Sequence, residues 1–128
     1  MFDWKKPTVQ MLGRWQPWHE GHQALFRRCI KKTGQVIIQV RDVHTEEGPS
    51  DSNPFNWDEV CRSIEKELLK EEYIRGKHYE IMLVPNIVNI TYGRKVGYIF
   101  EEEEFDESVS SISATNIREK MRERGELK

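Results

Sequence analysis

Apolar and polar residues follow one another along the chain with two periods, one typical of strands and one of helices. Three short runs, at residues 8–12 (TVQML), 35–40 (QVIIQV) and 78–85 (HYEIMLVP), predict strands, and the second of them is rich in β-branched residues. Residues 21–32 and 57–74 repeat apolar residues at every third or fourth position, which predicts amphipathic helices. The second strand is nearly continuous in apolar residues, as is typical of a strand covered on both faces.

The remaining segments complete a fold of one domain. Residues 88–92 (VNITY) and 98–103 (YIFEEE) predict a fourth and a fifth strand, and the chain is again helical from Ser113 onwards. Strands that alternate with helices indicate a parallel sheet with crossover connections. We therefore expect an α/β fold: a Rossmann-like single domain over residues 1–128, with a five-stranded, mainly parallel sheet flanked by helices.

Composition excludes several classes of protein. The net charge is only −2, which argues against a broad nucleic-acid-binding surface. No apolar stretch approaches the roughly 20 residues that a membrane span requires, and the N-terminus lacks the apolar segment of a secretory signal. Cys29 and Cys61 fall on the apolar sides of the two predicted helices and are expected to be reduced core thiols. These features favour a cytoplasmic protein whose partners are neither nucleic acids nor membranes.

Candidate chemistry begins at residues 13–26 (GRWQPWHEGHQALF). His19 and His22 lie three residues apart at the start of the first helix, so that both side chains can point the same way. A helix N-terminus attracts anions, and Gly21 has no Cβ to hinder their approach. Imidazole N–H groups can donate to phosphate oxygens. Two histidines could instead bind zinc, but a structural zinc site needs about four ligands and no cysteine cluster lies nearby in the sequence.

A second candidate anion site lies at residues 111–121 (SISATNIREKM). Ser113 can cap a helix, Thr115 falls in its first turn, and Arg118 shares the face of Thr115. The alternative is an ordinary capped surface helix. In an α/β domain, the carboxyl ends of parallel strands lie at one edge of the sheet, where ligands bind. Two anion sites in one such domain favour a shared polyphosphate ligand.

The strings GRWQPWHEGH and ISATNIR together resemble the nucleotidyltransferase superfamily that carries H-x-G-H and I-S-x-T-x-I-R motifs. The first string is most similar to the G-R-F-Q-P-F-H-x-G-H of archaeal-type nicotinamide mononucleotide (NMN) adenylyltransferases, and NPFNWDEV resembles their N-P-F-T-x-G-E-R segment. The chain departs from that group in two ways: it has no tryptophan after the third strand, and the E-R pair is replaced. Its length is instead similar to that of bacterial glycerol-3-phosphate cytidylyltransferases.

The resemblance implies an enzyme that transfers a nucleotidyl group from a nucleoside triphosphate, with ATP favoured, to a phosphorylated small molecule such as NMN. Pyrophosphate would be released, Mg²⁺ would bind mainly through the substrate phosphates, and the protein would be a homo-oligomer. Two alternatives stay open: a CTP-dependent cytidylyltransferase acting on a phospho-alcohol such as glycerol 3-phosphate, and a non-catalytic nucleotide-binding module.

The resemblance also implies roles for individual residues. The catalytic contacts to the transferred phosphate are assigned to His19, His22 and Arg118. Nucleotide binding is assigned to five further residues of the two motifs: Gly13, Arg14, Gly21, Ser113 and Thr115. Arg94 and Tyr92 are candidate contacts for the acceptor. Arg94 could instead be a solvated loop residue, and Tyr92 could be a strand residue packed in the core.

Overall fold

A computed structural model of the chain describes residues 1–44, 48–94, 97–103 and 114–125, except for the side chains of residues 114–116. The elements of the described part are β1 (Val9–Gly13), α1 (Glu20–Thr33), β2 (Val36–Arg41), α2 (Trp57–Leu69), β3 (Tyr79–Val84) and α3 (Ala114–Glu123). The strands form one parallel sheet in the order β1-β2-β3. The prediction of an α/β fold with a parallel sheet is confirmed.

The core lies on one side of this sheet. Right-handed crossovers between strands laid down in sequential order place both connecting helices on the same face. Accordingly, residues of α1, α2 and that sheet face form a single buried cluster, whose largest fully buried members include Phe26, Ile38, Ile64, Leu68 and Tyr79. Along β2 burial alternates, so that Val36, Ile38 and Val40 are buried while the residues between them are half-exposed. The prediction that this strand is covered on both faces is therefore wrong for the described part of the chain.

The prediction of five strands is also wrong for the described residues, which form three. Residues 88–92 are irregular, and the side chain of Val88 is almost fully exposed. Within this segment the Thr91 hydroxyl donates to the side chain of Asn89. Such local hydrogen bonds of threonine and asparagine compete with strand pairing. Strand propensity depends on a neighbouring strand, and no partner is formed here.

Residues 98–103 are likewise irregular, and their acidic end lies against α1. Lys32 Nζ is 3.1 Å from the carboxylate of Glu101 and also pairs with Glu103, while Arg28 Nη1 is 3.3 Å from the same Glu103 carboxylate. Ion pairs with a helix hold this end of the segment in place of a strand ladder. Solvent screens such surface ion pairs, so each contributes little to stability.

The start of α2 follows its sequence closely, whereas its end does not. Asn56 caps the helix: its Oδ1 accepts the Glu59 N–H at 2.9 Å, and the Glu59 carboxylate accepts the Asn56 N–H at 3.1 Å. The helix ends at Leu69 rather than at residue 74. Glu72 then adopts a left-handed backbone conformation with φ of 67°, which turns the chain towards β3.

Two expectations based on composition can be compared with the structure. Cys29 and Cys61 are both buried and both free, and burial raises the pKa of each thiol. The prediction of reduced core thiols is therefore confirmed. Among the described residues, no helix is long and apolar enough to cross a membrane.

Candidate active site

The two histidines of the first motif form one stacked pair at the start of α1. His19 is the N-cap residue, and its Nδ1 accepts the Gly21 N–H at 3.0 Å. The Nδ1 of His22 accepts the His19 N–H at 3.2 Å. Their ring centroids lie 3.6 Å apart, with 21° between the ring planes. Because an Nδ1 that accepts a hydrogen bond carries no proton, each neutral ring carries its proton on Nε2.

The His22 ring packs against two tryptophans that also contact each other: its centroid is 4.7 Å from that of Trp15 and 5.5 Å from that of Trp18, and the two indoles are 5.2 Å apart. Burial, with a smaller effect from neighbouring His19, lowers the pKa of His22 from its ordinary value of 6.5 to about 3. Burial also lowers the pKa of His19. Both rings therefore favour the uncharged form near pH 7.

This arrangement suits an anionic ligand. Two neighbouring, nearly parallel imidazoles with fixed tautomers can offer Nε2–H groups to phosphate oxygens. Because both rings are uncharged, they do not repel each other as two imidazolium ions would. A bound polyanion would raise the pKa of both rings, because nearby negative charge favours the protonated form. Gly21 lies between the two histidines and is itself part-buried, and its N–H is already used in the His19 cap.

The structure brings the C-terminal helix to the same loop. Arg118 of α3 is only 5% exposed, and its Nη1 donates to the backbone carbonyl of Gln16, three residues before His19. Burial lowers the pKa of Arg118, and the positive charges of Arg14 and Arg122 lower it further. Arg118 thus contacts the loop that leads to His19 from 102 positions away in the chain, and Arg14 and Arg122 lie close enough to influence its charge.

A residue to which the sequence assigned no role, Gln16, joins three segments at this point. It is 3% exposed, and its amide Nε2 donates to the Phe55 carbonyl at 2.9 Å while its Oε1 accepts the Phe55 N–H at 2.9 Å. Arg14 Nη1 adds a hydrogen bond to Asn53 Oδ1 at 3.2 Å. The first motif is thus fixed to the N-P-F segment by side chains, and to α3 through the Gln16 carbonyl. In the sequence, this link was indicated by one feature: Gln16 and the N-P-F segment lie within the two strings that resemble NMN adenylyltransferases.

Gly13 has a packing reason for being a glycine. A Cβ placed on Gly13 would lie 2.9 Å from the indole of Trp15, closer than real Cβ contacts come. Trp15 itself has a left-handed backbone with φ of 54°, and its indole N–H donates to the Gln39 carbonyl at 3.1 Å. A nucleotide contact by Gly13 stays a prediction beside this observed role.

The other predicted site residues are less closely joined to the histidine pair. Ser113 lies outside the described residues, and of Thr115 only the helical backbone is described. Arg94 is exposed. Tyr92 is 45% exposed and not a core strand residue; its ring stacks on that of Phe100, with centroids 5.2 Å apart. Their assignments to nucleotide or acceptor stay predictions.

Comparison with known proteins supports the fold and the general class. Neither a protein-family model nor a curated protein sequence matches the chain. One solved structure that it resembles is a bifunctional NMN adenylyltransferase/ADP-ribose pyrophosphatase from Francisella tularensis, in complex with AMP and a manganese ion. The two are 25% identical with a TM-score of 0.54, and the match covers 62% of this chain and 23% of that one. The chain is thus nucleotidyltransferase-like in structure, over less than a quarter of its neighbour's length.

Proposed function

We propose that the protein is a nucleotidyltransferase that moves an adenylyl group from ATP to a phosphorylated small molecule, with NMN as the first candidate acceptor, and releases pyrophosphate. The observation that supports the proposal is the stacked pair of His19 and His22 with protons on Nε2, together with the buried Arg118, which donates to the carbonyl of Gln16 three residues before His19. The similarity to an NMN adenylyltransferase solved with AMP supports ATP and NMN as the substrates.

In the proposed reaction, a phosphate oxygen of the acceptor forms a bond to the α-phosphorus of ATP. The bond from that phosphorus to the oxygen bridging to the β-phosphate breaks, and pyrophosphate leaves with the electron pair. A phosphate monoester has a second pKa of about 6, so the acceptor is already ionised near neutral pH and needs no general base. This fits the site, because His22 with a pKa of about 3 donates hydrogen bonds at neutral pH and is a poor base.

The chain's own residues then act by positioning and by neutralising charge. His19 and His22 donate from Nε2 to oxygens of the α-phosphate, where negative charge accumulates in the transition state. Arg118 and Arg14 face the β- and γ-phosphates and stabilise the leaving pyrophosphate. Three further residues contribute nucleotide contacts: Gly21, Ser113 and Thr115. Arg94 and Tyr92 bind the acceptor.

A divalent cation is expected to enter with the nucleotide. Among the described residues, no group of three His, Cys, Asp or Glu side chains could hold a metal ion. The described residues therefore do not fit a protein-built metal cage, and Mg²⁺ would be held chiefly by phosphate oxygens. The manganese ion in the solved neighbour supports a divalent cation.

The test is pyrophosphate release in the presence of Mg²⁺, with ATP or CTP combined with NMN, glycerol 3-phosphate or no acceptor. We expect release that requires an acceptor and is fastest with ATP and NMN. Release only with CTP and glycerol 3-phosphate would replace the adenylyltransferase by a cytidylyltransferase. Nucleotide binding without release from any pair would show a non-catalytic binding module instead.

A further inference from the structure

An open cavity of about 320 Å³ lies between α2 and α3, beside the loop that follows β1. The mechanism proposed above does not use it. Its walls are largely apolar and include Trp15, Phe55 and Met121. Its volume is at the lower end of the range for small-molecule sites, which are mostly apolar with a few polar groups.

The wall nearest the histidines is held rigidly. Trp15 packs on Gly13, donates its indole N–H to the Gln39 carbonyl, and keeps a left-handed backbone that is unfavourable for a residue with a side chain. One indole therefore contacts His22 and also lines the cavity. Trp15 is thus shared by the wall of the cavity and the surroundings of the histidine pair.

Polar groups lie along the α2 side of the cavity. Arg62 and Ser63 line it together with Glu59, whose carboxylate is engaged in the cap of α2. On the opposite side Met121 follows Arg118 by three residues on α3. An aromatic wall, a methionine and one row of polar groups suit a flat ring with polar edges.

We propose that this cavity binds the planar heteroaromatic ring of one substrate of the transfer reaction, either the base of the nucleoside triphosphate or the ring of the acceptor. The proposal rests on the proposed function only in naming that substrate. The ring would pack between Trp15 and Met121, while its phosphates reach the histidine pair past the edge of the indole. Trp15 thereby becomes a residue that determines which ring is accepted.

The experiment compares ligands with and without the ring by calorimetry. ATP and CTP are each compared with inorganic tripolyphosphate, and NMN is compared with ribose 5-phosphate. Stacking on an aromatic side chain contributes about tenfold or more to affinity. In the wild-type protein we expect at least one ring-bearing ligand to bind about tenfold more tightly than its ring-free counterpart. The pair that shows the difference identifies the substrate whose ring is bound.

Variants that fill the cavity then test whether the difference in affinity between ring-bearing and ring-free ligands arises there. Ser63→Phe fills it from α2 and should abolish the preference for the ring while leaving the affinity for tripolyphosphate unchanged. Met121→Trp fills it from α3 and should do the same, which gives a second variant if the first does not fold. Lys66→Phe is the matched control, because it adds the same ring at an exposed position three residues further along α2.

Two results would overturn the proposal: a wild-type protein with no preference in any pair, or a preference that survives in the folded cavity-filling variants. Product formation is measured separately on the wild-type protein. Pyrophosphate release without any preference for the ring would reject the cavity alone. A preference for ring-bearing ligands that is lost in the cavity-filling variants, without pyrophosphate release, would support the ring-binding cavity and reject the proposed enzymatic activity.

Discussion

At the scale of single residues, the histidine pair offers two uncharged Nε2–H groups to a ligand. Burial of His22 against two tryptophans lowers its pKa to about 3, and the backbone N–H groups that both Nδ1 atoms accept leave the protons on Nε2. A site made of uncharged donors does not suffer repulsion between two imidazolium groups stacked 3.6 Å apart. In the proposed reaction these donors would be in place before the reaction begins, which is how preorganised groups stabilise a transition state.

The first prediction concerns His22→Asn. The substitution removes the Nε2–H donor but keeps a polar group, and loss of one preorganised donor lowers turnover by about 10²–10³-fold. His78→Asn is the matched control, because the Nδ1 of His78 likewise accepts a backbone N–H, from Ile74 at 2.9 Å, outside the first motif. Steady-state rates and far-UV circular dichroism provide the measurement. A folded His22→Asn protein with the control's turnover would remove this ring from the mechanism.

The second prediction concerns Arg118, whose guanidinium presents a planar fork that fits phosphate oxygens in pairs. Arg118→Lys keeps the charge but loses the fork, and should weaken triphosphate binding and turnover; Arg118→Ala should reduce both further, by about tenfold or more. Affinity for the acceptor should change little. Lys120→Ala, an exposed cation on the same helix, is the control. Kinetics with each substrate varied in turn test this. A defect confined to the Michaelis constant for the acceptor would place Arg118 in the other half of the site.

At the scale of elements, side-chain hydrogen bonds rather than regular packing hold the site together. Gln16 links the loop after β1 to the backbone of Phe55 and, through its own carbonyl, to Arg118. Gln23 is similarly buried in α1 and bridges to the Glu67 carbonyl of α2 at 2.7 Å. Buried amides of this kind fix the relative positions of elements because all their partners must be satisfied together.

The third prediction is that Gln16→Ala destabilises the protein by about 1–3 kcal/mol, since it leaves the N–H and C=O of Phe55 without their side-chain partner. Gln10→Ala is the matched control: Gln10 is an exposed β1 residue whose side chain bonds the side chain of Gln39, and loss of its amide should change stability by no more than about 0.5 kcal/mol. Urea unfolding of both variants gives the comparison. Equal midpoints for the two would contradict the linking role of Gln16.

Elements whose hydrophobic periodicity and capping residues agree with the fold were predictable from the sequence. Elements that depend on distant parts of the chain were not. β1 to β3 and the start of α2 were found because hydrophobic period and capping residues agree with the fold. Residues 88–92 and 98–103 have strand composition, but a strand exists only where another strand pairs with it, and that is a property of the whole fold. The end of α2 depended on the left-handed backbone of Glu72, which its residue type does not indicate.

Some residues of the candidate site were predictable from the sequence and others were not. The two histidines and Arg118 stood in recognisable strings, and the structure places them around one loop. Gln16 carried no periodic signal, because its bonds reach a backbone 39 residues away. The partial burial of His22 could not be predicted from the sequence either. It depends on two tryptophans that the sequence alone could place in the core or on the surface.

At the scale of the whole molecule, His22 links stability to pH. Its pKa is about 3 in the folded protein and near its ordinary 6.5 in the unfolded chain. Between these values the unfolded chain binds more protons, so stability rises with pH in that window. The contribution is fully present above about pH 6.5 and is lost as pH falls towards 3.

The fourth prediction follows from this rise of stability with pH. The free energy of unfolding should fall between pH 6.5 and 5, with His22 contributing a slope of up to about 1.4 kcal/mol per pH unit. The slope should be smaller in His22→Asn, whatever the stability of that variant at pH 7. Denaturant unfolding across this range, where most carboxyl groups stay ionised, measures it. Parallel slopes for the two proteins would show that His22 titrates normally in the folded state.

In the proposed reaction, the histidine pair and Arg118 promote attack at the α-phosphorus of a nucleoside triphosphate. The decisive measurement is incubation of the protein and an acceptor with ATP labelled with ³²P at either the α or the γ position. We expect the α-label in the acceptor product and the γ-label in pyrophosphate. Transfer of the γ-label to the acceptor, or its release as inorganic phosphate without pyrophosphate, would contradict it.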